Sequence, residues 1–456
     1  MNKPVSTVKV VGYTNCGEAI CAASGRISTL SGDTMEILEK SREPQKNAAL
    51  IEKVTASGHT STIEHINFNL AFTNVSVLVE QFMIEFRLAS FTVKSRRYVD
   101  FSDAGFYIPD FSDNDERDAF TAAMAARFAD YSALIEHGIL KEDARFVLPY
   151  CFYSNFFCTL NGRELYHVLD AMLFGRGAGY PEIKRLGEQI LEEVKAIAPG
   201  VFSRFMEHAR TIEDSVLPGF IIPGCVPATP ENEQKTELLA YTPQPERVVA
   251  QTALIEGTRC PTAQIDAILE DKAAVAGILD HVMRSERPRA LENVTFTFRF
   301  NGLSLAGITH LVRHRMQSVM IPPLSSGSPD RYIIPDSIRA NPVALEIYQK
   351  AFQEAAVYHR SAPESIKAYA LLSGNTLDPV VTMNARELLL FLRLRTCNRA
   401  QWEIRAYAVE MLLTLRNLAP ALFAHFGPSC CVMDHCPEGR LSCGKMQEVR
   451  EQFKAR

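Results

Sequence analysis

The chain has 456 residues, more than one ordinary hydrophobic core needs, and this length predicts two or three domains. Its 47% hydrophobic and 22% charged residues are typical of a globular protein, and no apolar run is long enough to span a bilayer. The formal net charge of -5 argues against a nucleic-acid partner, since broad nucleic-acid binding needs a basic face.

The beginning of the chain and its cysteines bear on the compartment. Residues 1–6 contain no apolar segment of the kind that a secretory signal requires. The 11 cysteines are scattered and do not form a small-domain disulfide framework. We therefore expect a cytoplasmic protein with reduced thiols and no membrane partner.

The first half of the chain carries a strand followed by a helix. Large apolar residues alternate with polar or small ones over 66–72, and this period of two predicts a strand with one buried face. A helix is expected to follow over 77–87. Further along, 144–149 and 161–165 are the next distinct motifs.

A linker is expected over 218–236. This stretch holds Pro218, Pro223, Pro227 and Pro230 and ends in a polar run, a composition typical of segments that connect domains.

The second half repeats the pattern of the first. A strand is predicted over 294–300, a helix over 303–315, and two long helices over 385–395 and 401–418. Parallel βαβ alternation, a GxGxxG loop and a P-loop are all absent, which disfavours a Rossmann or P-loop site. The predicted fold class is α+β.

The two halves are diverged copies of one unit. Glu64 matches Glu292 and Phe72 matches Phe300, both 228 residues apart. Later, Asn-Gly-Arg-Glu-Leu at 161–165 matches Asn-Ala-Arg-Glu-Leu at 384–388 at an offset of 223. The predicted boundaries are 1–217 for copy one and 237–456 for copy two.

The sharpest local feature is Arg313-His314-Arg315 at the end of the apolar helix predicted over 303–315. Arginine forks pair bidentately with phosphate. Taken alone, however, the tripeptide is better explained as a solvated helix end, where cations interact favourably with the helix dipole.

Other motifs change that balance. Arg313-His314-Arg315 precedes Ser318, and the run 95–98 reads Ser-Arg-Arg-Tyr. Together with Gly-His-Thr-Ser at 58–61, Ala-Arg-Phe-Val-Leu-Pro at 144–149 and Ala-Gln-Trp-Glu at 400–403, this order resembles the flavin-dependent thymidylate synthases over nearly the whole of both copies.

The resemblance implies two tandem copies of that family's fold, with a mixed sheet and long helices. It implies FAD-dependent methylation of dUMP to dTMP, with methylenetetrahydrofolate as carbon donor and NADPH as reductant. Members of the family are homotetramers whose nucleotide sites combine residues of different subunits. A homodimer of this double-length chain would then form a pseudo-tetramer.

Each copy keeps only half of the family's site. Copy one has Glu85-Phe86-Arg87 in place of Arg-His-Arg, and Met172 in place of the late arginine. Copy two has Tyr369 or its neighbours where the Leu-Pro arginine belongs. We therefore expect composite sites, although decay of both copies into an inactive nucleotide- or flavin-binding protein is the alternative.

The resemblance assigns roles to the retained residues. The residues implied to bind dUMP are Ser95, Arg97, Arg145, Arg313 and His310, the last at the position of a family glutamine. Those implied to bind FAD are His59, Ser61, His167, Arg313, His314, Arg315, Asn384 and Arg386. Arg395 is the implied catalytic residue, because an arginine facing the uracil can stabilise its N3-deprotonated, electron-rich ring.

Two departures bear on the substrate and the fold. Thr92-Val93-Lys94 replaces the family's Asn-Glu-Gln and removes a carboxylate from the nucleotide pocket, which leaves a related pyrimidine nucleotide open. Pro181 stands where copy two has Trp402 and is expected to disturb the helix there.

Copy two ends in a cysteine-containing tail without a counterpart in copy one. Four thiols could hold zinc, but the spacing lacks paired C-x2-C knuckles, and free surface thiols are the favoured interpretation. The metal question therefore stays open for Cys430, Cys431, Cys436 and Cys443.

Overall fold

The structure, a computed structural model, describes residues 5–208, 234–433 and 435–454. Residues 218–233 of the predicted linker lie outside the described residues, and its last residue, Thr236, begins a strand. In the described part of the chain, no helix is long and apolar enough to cross a bilayer.

Helices and short antiparallel sheets make up the fold. The strands are β1 (Thr7–Tyr13), β2 (Asn67–Ser76), β3 (Ser90–Val93), β4 (Tyr153–Asn161), β5 (Thr236–Tyr241), β6 (Thr295–Phe300), β7 (Leu303–Ser304), β8 (Ser318–Met320), β9 (Thr376–Leu377) and β10 (Val380–Asn384). The helices are α1 (Glu18–Ile27), α2 (Thr34–Lys40), α3 (Pro44–Ala56), α4 (Val77–Ile84), α5 (Asn114–Glu136), α6 (Lys141–Ala144), α7 (Gly162–Leu173), α8 (Pro181–Ile197), α9 (Pro199–Phe202), α10 (Pro245–Gly257), α11 (Thr262–Leu269), α12 (Lys272–Arg284), α13 (Leu305–Leu311), α14 (Asp336–Arg339), α15 (Pro342–Ser361), α16 (Glu364–Ala370), α17 (Ala385–Arg395), α18 (Trp402–Leu418), α19 (Pro420–Phe423), α20 (Ser429–Val432) and α21 (Met446–Lys454). The predicted α+β class is confirmed.

The two copies share one sheet topology. The order is β1-β2-β4-β3 in the first sheet and β5-β6-β10-β8 in the second, and every strand pair in them is antiparallel. Tyr13 pairs with Phe68 in the first sheet, as Tyr241 pairs with Phe296 in the second. Both edge strands also have a register shift at the same place, after Val10 and after Leu238. The offset of 228 residues therefore holds at the level of individual strand pairs.

Hydrophobic alternation positions both sheets. Phe68, Leu70 and Phe72 are buried in copy one, as are Phe296 and Phe298 in copy two, so the predicted strands and their buried faces are confirmed. The helices behind them begin at equivalent caps: the side chain of Asn161 accepts from Glu164 N, and that of Asn384 accepts from Glu387 N.

Three helix predictions need correction. The helix expected over 77–87 is α4, which ends at Ile84. The helix predicted over 303–315 is α13, which begins at Leu305 and ends at Leu311, so the Arg-His-Arg run lies beyond its C-terminus. Pro181 does not disturb α8, because it is the first residue of that helix, where proline costs no intrahelical hydrogen bond. Glu182 beside it accepts from the N and Oγ of Ser76.

The chain forms two compact units. Unit 1 holds residues 1–226 and 334–374, and unit 2 holds residues 227–333 and 375–456. The segment 334–374 belongs to copy two by sequence, yet its long helix α15 packs on α5 of copy one. The compact units are defined by contacts between residues, whereas the repeats are defined by sequence similarity. The predicted repeat boundaries therefore stay a prediction.

Within unit 1, the segment 334–374 pairs with its own counterpart. Tyr150 N donates to Leu371 O at 2.7 Å, and Ser373 N donates to Leu148 O at 2.9 Å. Leu148 and Leu371 are 223 residues apart, as are Tyr150 and Ser373. The two hydrogen bonds are thus related by a local pseudo-twofold axis, as in an isologous contact between identical chains.

Candidate functional site

The predicted site residues fall into two groups, one in each unit. In unit 2, the centre is the imidazole of His314, which is buried between an arginine and a glutamate. Its Nε2 accepts a hydrogen bond from Arg395 Nε at 2.9 Å, and its Nδ1 lies 3.2 Å from Glu387 Oε1. This arrangement selects the neutral tautomer with the proton on Nδ1, which donates to the carboxylate.

Helix α17 supplies three of the groups around His314. Glu387, Phe391 and Arg395 are four residues apart and lie along one side of the helix. Phe391 contacts the imidazole edge to face, with ring centroids 4.8 Å apart. The sequence predicted this helix with its correct bounds, and its N-cap Asn384 fixes where the first turn starts.

Burial and neighbouring charges keep His314 neutral. Burial lowers the pKa of His314; the hydrogen bond to Glu387 opposes this, and the positive charges of Arg395 and Arg313 add to the lowering. An acceptor nitrogen is therefore available to Arg395 at neutral pH. Arg395 also donates from Nη2 to His310 O at 3.1 Å, so two contacts fix its guanidinium plane.

The two arginines beside His314 face outward. Arg313 and Arg315 are exposed, whereas His314 and His310 are buried. The chain beyond α13 thus alternates between solvent and core, which a continuing helix would not do. Outward arginines next to a buried histidine can meet an anionic ligand without desolvating themselves first.

A further predicted FAD residue, Arg386, takes part in an ion pair. It contacts Glu292, and this hydrogen bond, outweighing partial desolvation, lowers the pKa of the Glu292 carboxyl. Copy one has the same pair, with Arg163 Nη1 and Glu64 Oε1 2.7 Å apart. Because both copies keep the pair, its presence does not distinguish an intact half-site from a degenerate one.

In unit 1, Ser95, Arg97 and Arg145 come together. Arg97 Nε lies 2.6 Å from Glu142 Oε1, Arg97 Nη2 donates to Oε2 at 3.3 Å, and Arg97 N donates to Ser95 Oγ. Arg145 is buried and donates from Nε to Glu142 O at 3.0 Å. The three residues predicted from the sequence therefore form one cluster, in which Arg97 and Arg145 contact the same glutamate.

The other residues predicted in copy one lie in α7 and at the short 3-10 helix Thr60–His65. His59 and Ser61 are exposed there, and His167 lines a cavity of about 390 Å³. Thr60, between the first two, also lines this cavity, together with Tyr166 and Arg163. A largely apolar cavity with an aromatic ring and an arginine can accept part of an aromatic nucleotide.

In copy one, other side chains occupy the positions that correspond to the His314 centre. Its counterpart of His314 is Phe86, and Met172, the counterpart of Arg395, is fully buried. Glu85 takes the position of Arg313 and forms an ion pair with Arg176, whose guanidinium lies 5.6 Å from the centre of the Phe86 ring. Apolar and paired groups thus replace the polar network.

Copy two lacks part of the cluster that Ser95, Arg97 and Arg145 form in copy one. Arg331, at the place of Arg97, donates from both terminal nitrogens to Asp378, at 3.1 and 3.2 Å. Burial alone would raise the pKa of Asp378, but hydrogen bonds from Arg331, Gly302 N and Arg299 outweigh it and hold the pKa below its usual value. The counterpart of Arg145 is Ala368. This position therefore supplies no second arginine to Arg331, whose guanidinium stabilises the fold through Asp378.

The cysteine tail does not bring its thiols into a metal-type cluster. Cys430 is buried and Cys431, Cys436 and Cys443 are partly exposed, all as free thiols. Among the described residues, no group of three or more His, Cys, Asp or Glu side chains is arranged to hold a metal ion.

Two residues of this geometry were not predicted from the sequence: Glu142 and Glu387. Glu387 had a visible signal, the Asn-x-x-Glu pattern that starts α17, but that pattern indicates a helix cap and not a histidine contact. Glu142 had none, since the sequence of the four-residue helix α6 does not indicate a contact with Arg97.

One family profile matches both copies. The profile of the family described as thymidylate synthase complementing protein matches residues 9–200 and 237–421. The chain is 36% identical over 238 residues to a flavin-dependent thymidylate synthase of Geobacter sulfurreducens, covering 48% of this chain and 98% of the relative. It is 35% identical over 240 residues to one of Clostridium tetani, covering 48% of this chain and 96% of the relative.

A solved structure is similar over less than half of the chain. It is the crystal structure of the UMP/dUMP methylase PolB from Streptomyces cacaoi bound with 5-Br dUMP, with 24% sequence identity and a TM-score of 0.39. The match covers 45% of this chain and 96% of that one. Each relative thus has about the length of one copy.

Proposed function

Because the chain belongs to the thymidylate synthase complementing protein family in both of its copies, we propose that it is a FAD-dependent enzyme that methylates dUMP to dTMP. Methylenetetrahydrofolate would donate the carbon and NADPH the reducing equivalents. The curated relatives are named flavin-dependent thymidylate synthases, and this supports the reaction class. The observation that carries the proposal is the polar network of Arg395, His314 and Glu387 in copy two.

Arg395 would act on the pyrimidine. Its guanidinium is held by His314 Nε2 and His310 O, so it can face a ring without first losing rotamer freedom. Beside a uracil, it would stabilise negative charge that develops on the ring oxygens and N3. The groups that contact His314 and Arg395 in this network are His310 and Glu387, so electrostatic activation of the ring would take the place of a covalent nucleophile.

Ser95, Arg97 and Arg145 would bind the nucleotide phosphate, with Arg313 contributed by copy two. Two arginines around one turn form the kind of forked cationic site that phosphate oxygens prefer. Part of this cluster is missing from copy two, whereas the His314 centre is missing from copy one. Complementary loss supports composite sites, because random decay would strike both halves of a site alike.

The residues present fit a flavin dinucleotide. Arg313 and Arg315 are exposed cations suited to a pyrophosphate, and His59, Ser61, His167, Asn384 and Arg386 would supply further polar contacts. When bound, FAD would carry the reducing equivalents of NADPH to the transferred carbon. The protein would hold and orient it and exclude water.

A homodimer that forms a pseudo-tetramer would provide two intact and two degenerate sites. A second pyrimidine nucleotide stays open as substrate, because Lys94 occupies a position where the resemblance implies a carboxylate-containing run. Lys94 is exposed, with its Nζ 5.4 Å from the centre of the Phe101 ring. Parallel assays with dUMP and UMP would decide between the two nucleotides.

The experiment measures bound flavin and then tritium release from C5-labelled dUMP. Wild-type protein is expected to purify yellow and to release tritium only with the folate and NADPH. A colourless protein that cannot be reconstituted with FAD would instead support a pseudoenzyme.

Composite sites are tested with Arg97→Ala and Arg395→Ala. Each variant alone should lose turnover. If sites form between chains, co-expression should restore about a quarter of the wild-type rate, since half the dimers are mixed and each has one intact site. If sites form within a chain, co-expression restores nothing. Near-wild-type turnover by both single variants would overturn the composite site.

A further inference from the structure

The single-turn helix α6, which contains Glu142, connects the three predicted phosphate residues. Its carboxylate contacts Arg97 through two nitrogens, and its backbone carbonyl accepts from Arg145 Nε. Ser95 joins through the hydrogen bond from Arg97 N to its Oγ. One residue thus fixes one arginine with its side chain and the other with its main chain.

The turn itself is anchored on both sides. Lys141 Nζ lies 3.3 Å from Asp100 Oδ2, and Ser337 Oγ donates to Asp143 Oδ2 at 2.5 Å. Ser337 belongs to the segment 334–374, which lies in the same unit. Glu142 is therefore held in place from its two sequence neighbours.

Copy two shows that the fold does not need this glutamate. At the offset of 223, Glu142 corresponds to Ser365 and Arg145 to Ala368, both in α16, which forms without them. Arg331 there has Asp378 as its partner instead. The glutamate and Arg145 are thus absent together from the copy that lacks part of the cluster.

We propose that Glu142 is a positioning residue of the nucleotide-phosphate site, a role that rests on the function proposed above. Its carboxylate holds the Arg97 guanidinium and its carbonyl holds Arg145, so both face the phosphate before it binds. Long arginine side chains otherwise lose rotamer freedom on binding, and a preset geometry removes that cost. Its single negative charge leaves the cluster of two arginines with a net positive charge.

The competing role for Glu142 is that of a stand-in for phosphate. A carboxylate that occupies the Arg97 fork would then have to leave before the nucleotide binds. The main-chain contact to Arg145 favours positioning, because a backbone carbonyl within an anchored turn does not compete with an incoming anion. The two roles predict opposite effects of removing the carboxylate.

The test compares Glu142→Ala and Glu142→Gln with wild type in the full-length, FAD-loaded protein. The dissociation constants of dUMP and of inorganic phosphate are measured by calorimetry, and kcat and KM by tritium release. We expect Glu142→Ala to weaken both ligands about 10- to 100-fold, the usual effect of losing a charge-assisted contact, with kcat at saturation nearly unchanged. Glu142→Gln should fall between, since its amide oxygen can still accept from Arg97.

Two controls separate this role from a general loss of structure. Glu354→Gln changes another ion pair of unit 1, that of Glu354 with Arg127, and should leave both affinities unchanged. Arg97→Ala should abolish phosphate binding. Unfolding temperatures of all variants are measured in parallel, and an effect on affinity without a matching loss of stability supports positioning.

Each outcome has one meaning. Equal or tighter binding of dUMP and phosphate by Glu142→Ala would overturn the proposal and identify the carboxylate as a competitor. If wild type binds phosphate through Arg97 and Glu142 but makes no dTMP, the proposed reaction fails and the positioning role stands. If phosphate binding does not depend on Arg97, the proposed phosphate site and the positioning role of Glu142 both fail.

Discussion

His314 Nε2 accepts a hydrogen bond from Arg395 Nε at 2.9 Å while Nδ1 of the same ring faces Glu387. A neutral imidazole thus connects a carboxylate to the predicted catalytic arginine. The contact requires an unprotonated Nε2, and the carboxylate keeps the proton on Nδ1. The orientation of Arg395 therefore depends on Glu387, which lies two helical turns before it.

We predict that Glu387→Gln lowers kcat by about 10-fold or more, because the charge-assisted hydrogen bond that fixes the His314 tautomer is lost. The measurement is tritium release at saturating substrates. Glu164→Gln is the matched control, since Glu164 is the counterpart in copy one and its carboxylate accepts a backbone hydrogen bond from Leu88 N in place of a histidine contact. Equal losses in both variants would show that the effect is structural.

The pH dependence of stability should report the same histidine. Burial, together with Arg395 and Arg313, places the pKa of folded His314 below its ordinary value of 6.5. Between 6.5 and that lower value, the unfolded chain binds more protons, so His314 makes the free energy of unfolding decrease as the pH falls. Above 6.5 it contributes no pH dependence.

His314→Phe tests this, since phenylalanine is the residue that copy one has at Phe86. The unfolding temperatures of the variant and wild type should differ by a constant amount above pH 6.5. Below it, wild type should lose stability relative to the variant. A constant difference down to pH 5 would contradict a depressed pKa at His314.

How much of this could be predicted from the sequence depends on the range of the interactions. The alternation over 66–72 and 294–300 and the helix over 385–395 are local patterns, and the structure confirms them. The end of α13 at Leu311 was missed, because apolar residues continue to Val312 and no glycine or proline marks the stop.

Long-range relationships were less accessible. The family resemblance predicted that Ser95, Arg97 and Arg145 lie together, and they do. It did not predict that Arg97 and Arg145 share Glu142 as a partner. Nothing in the sequence indicated that 334–374 would join unit 1. Periodicity specifies that α15 has a buried face, but not which helix covers it.

The Cys431 thiol of the tail should react slowly with alkylating agents. Burial, with a contribution from Cys430, raises the pKa of the Cys431 thiol to about 11, so its thiolate is scarce at pH 7.5. Cys260 is exposed and serves as the control. In mass spectrometry after brief iodoacetamide treatment, Cys260 should be labelled well before Cys431, and equal labelling would contradict the prediction.

Elemental analysis of the same protein preparation measures whether the cysteine tail binds zinc. Stoichiometric zinc that disappears in a variant with Cys436 and Cys443 replaced by serine would reverse the favoured interpretation of free thiols. It would also show that the tail rearranges around the metal, because the described thiols do not form a three-ligand group.

The last prediction concerns the segment 334–374, which lies in copy two by sequence and in unit 1 by contact. Phe352 on α15 is buried there and contacts Tyr348 with ring centroids 4.8 Å apart. Phe352→Ala should destabilise by about 3–5 kcal/mol, as other buried Phe→Ala changes do. Because α15 packs on α5, amides of 114–136 should lose hydrogen-exchange protection.

Phe423→Ala is the matched control, since Phe423 also belongs to copy two but is buried in unit 2 against Phe296. It should expose amides of unit 2 and leave 114–136 protected. If both substitutions released the same amides, the two compact units would unfold as one, and the assignment of 334–374 to the unit of copy one would carry no energetic meaning.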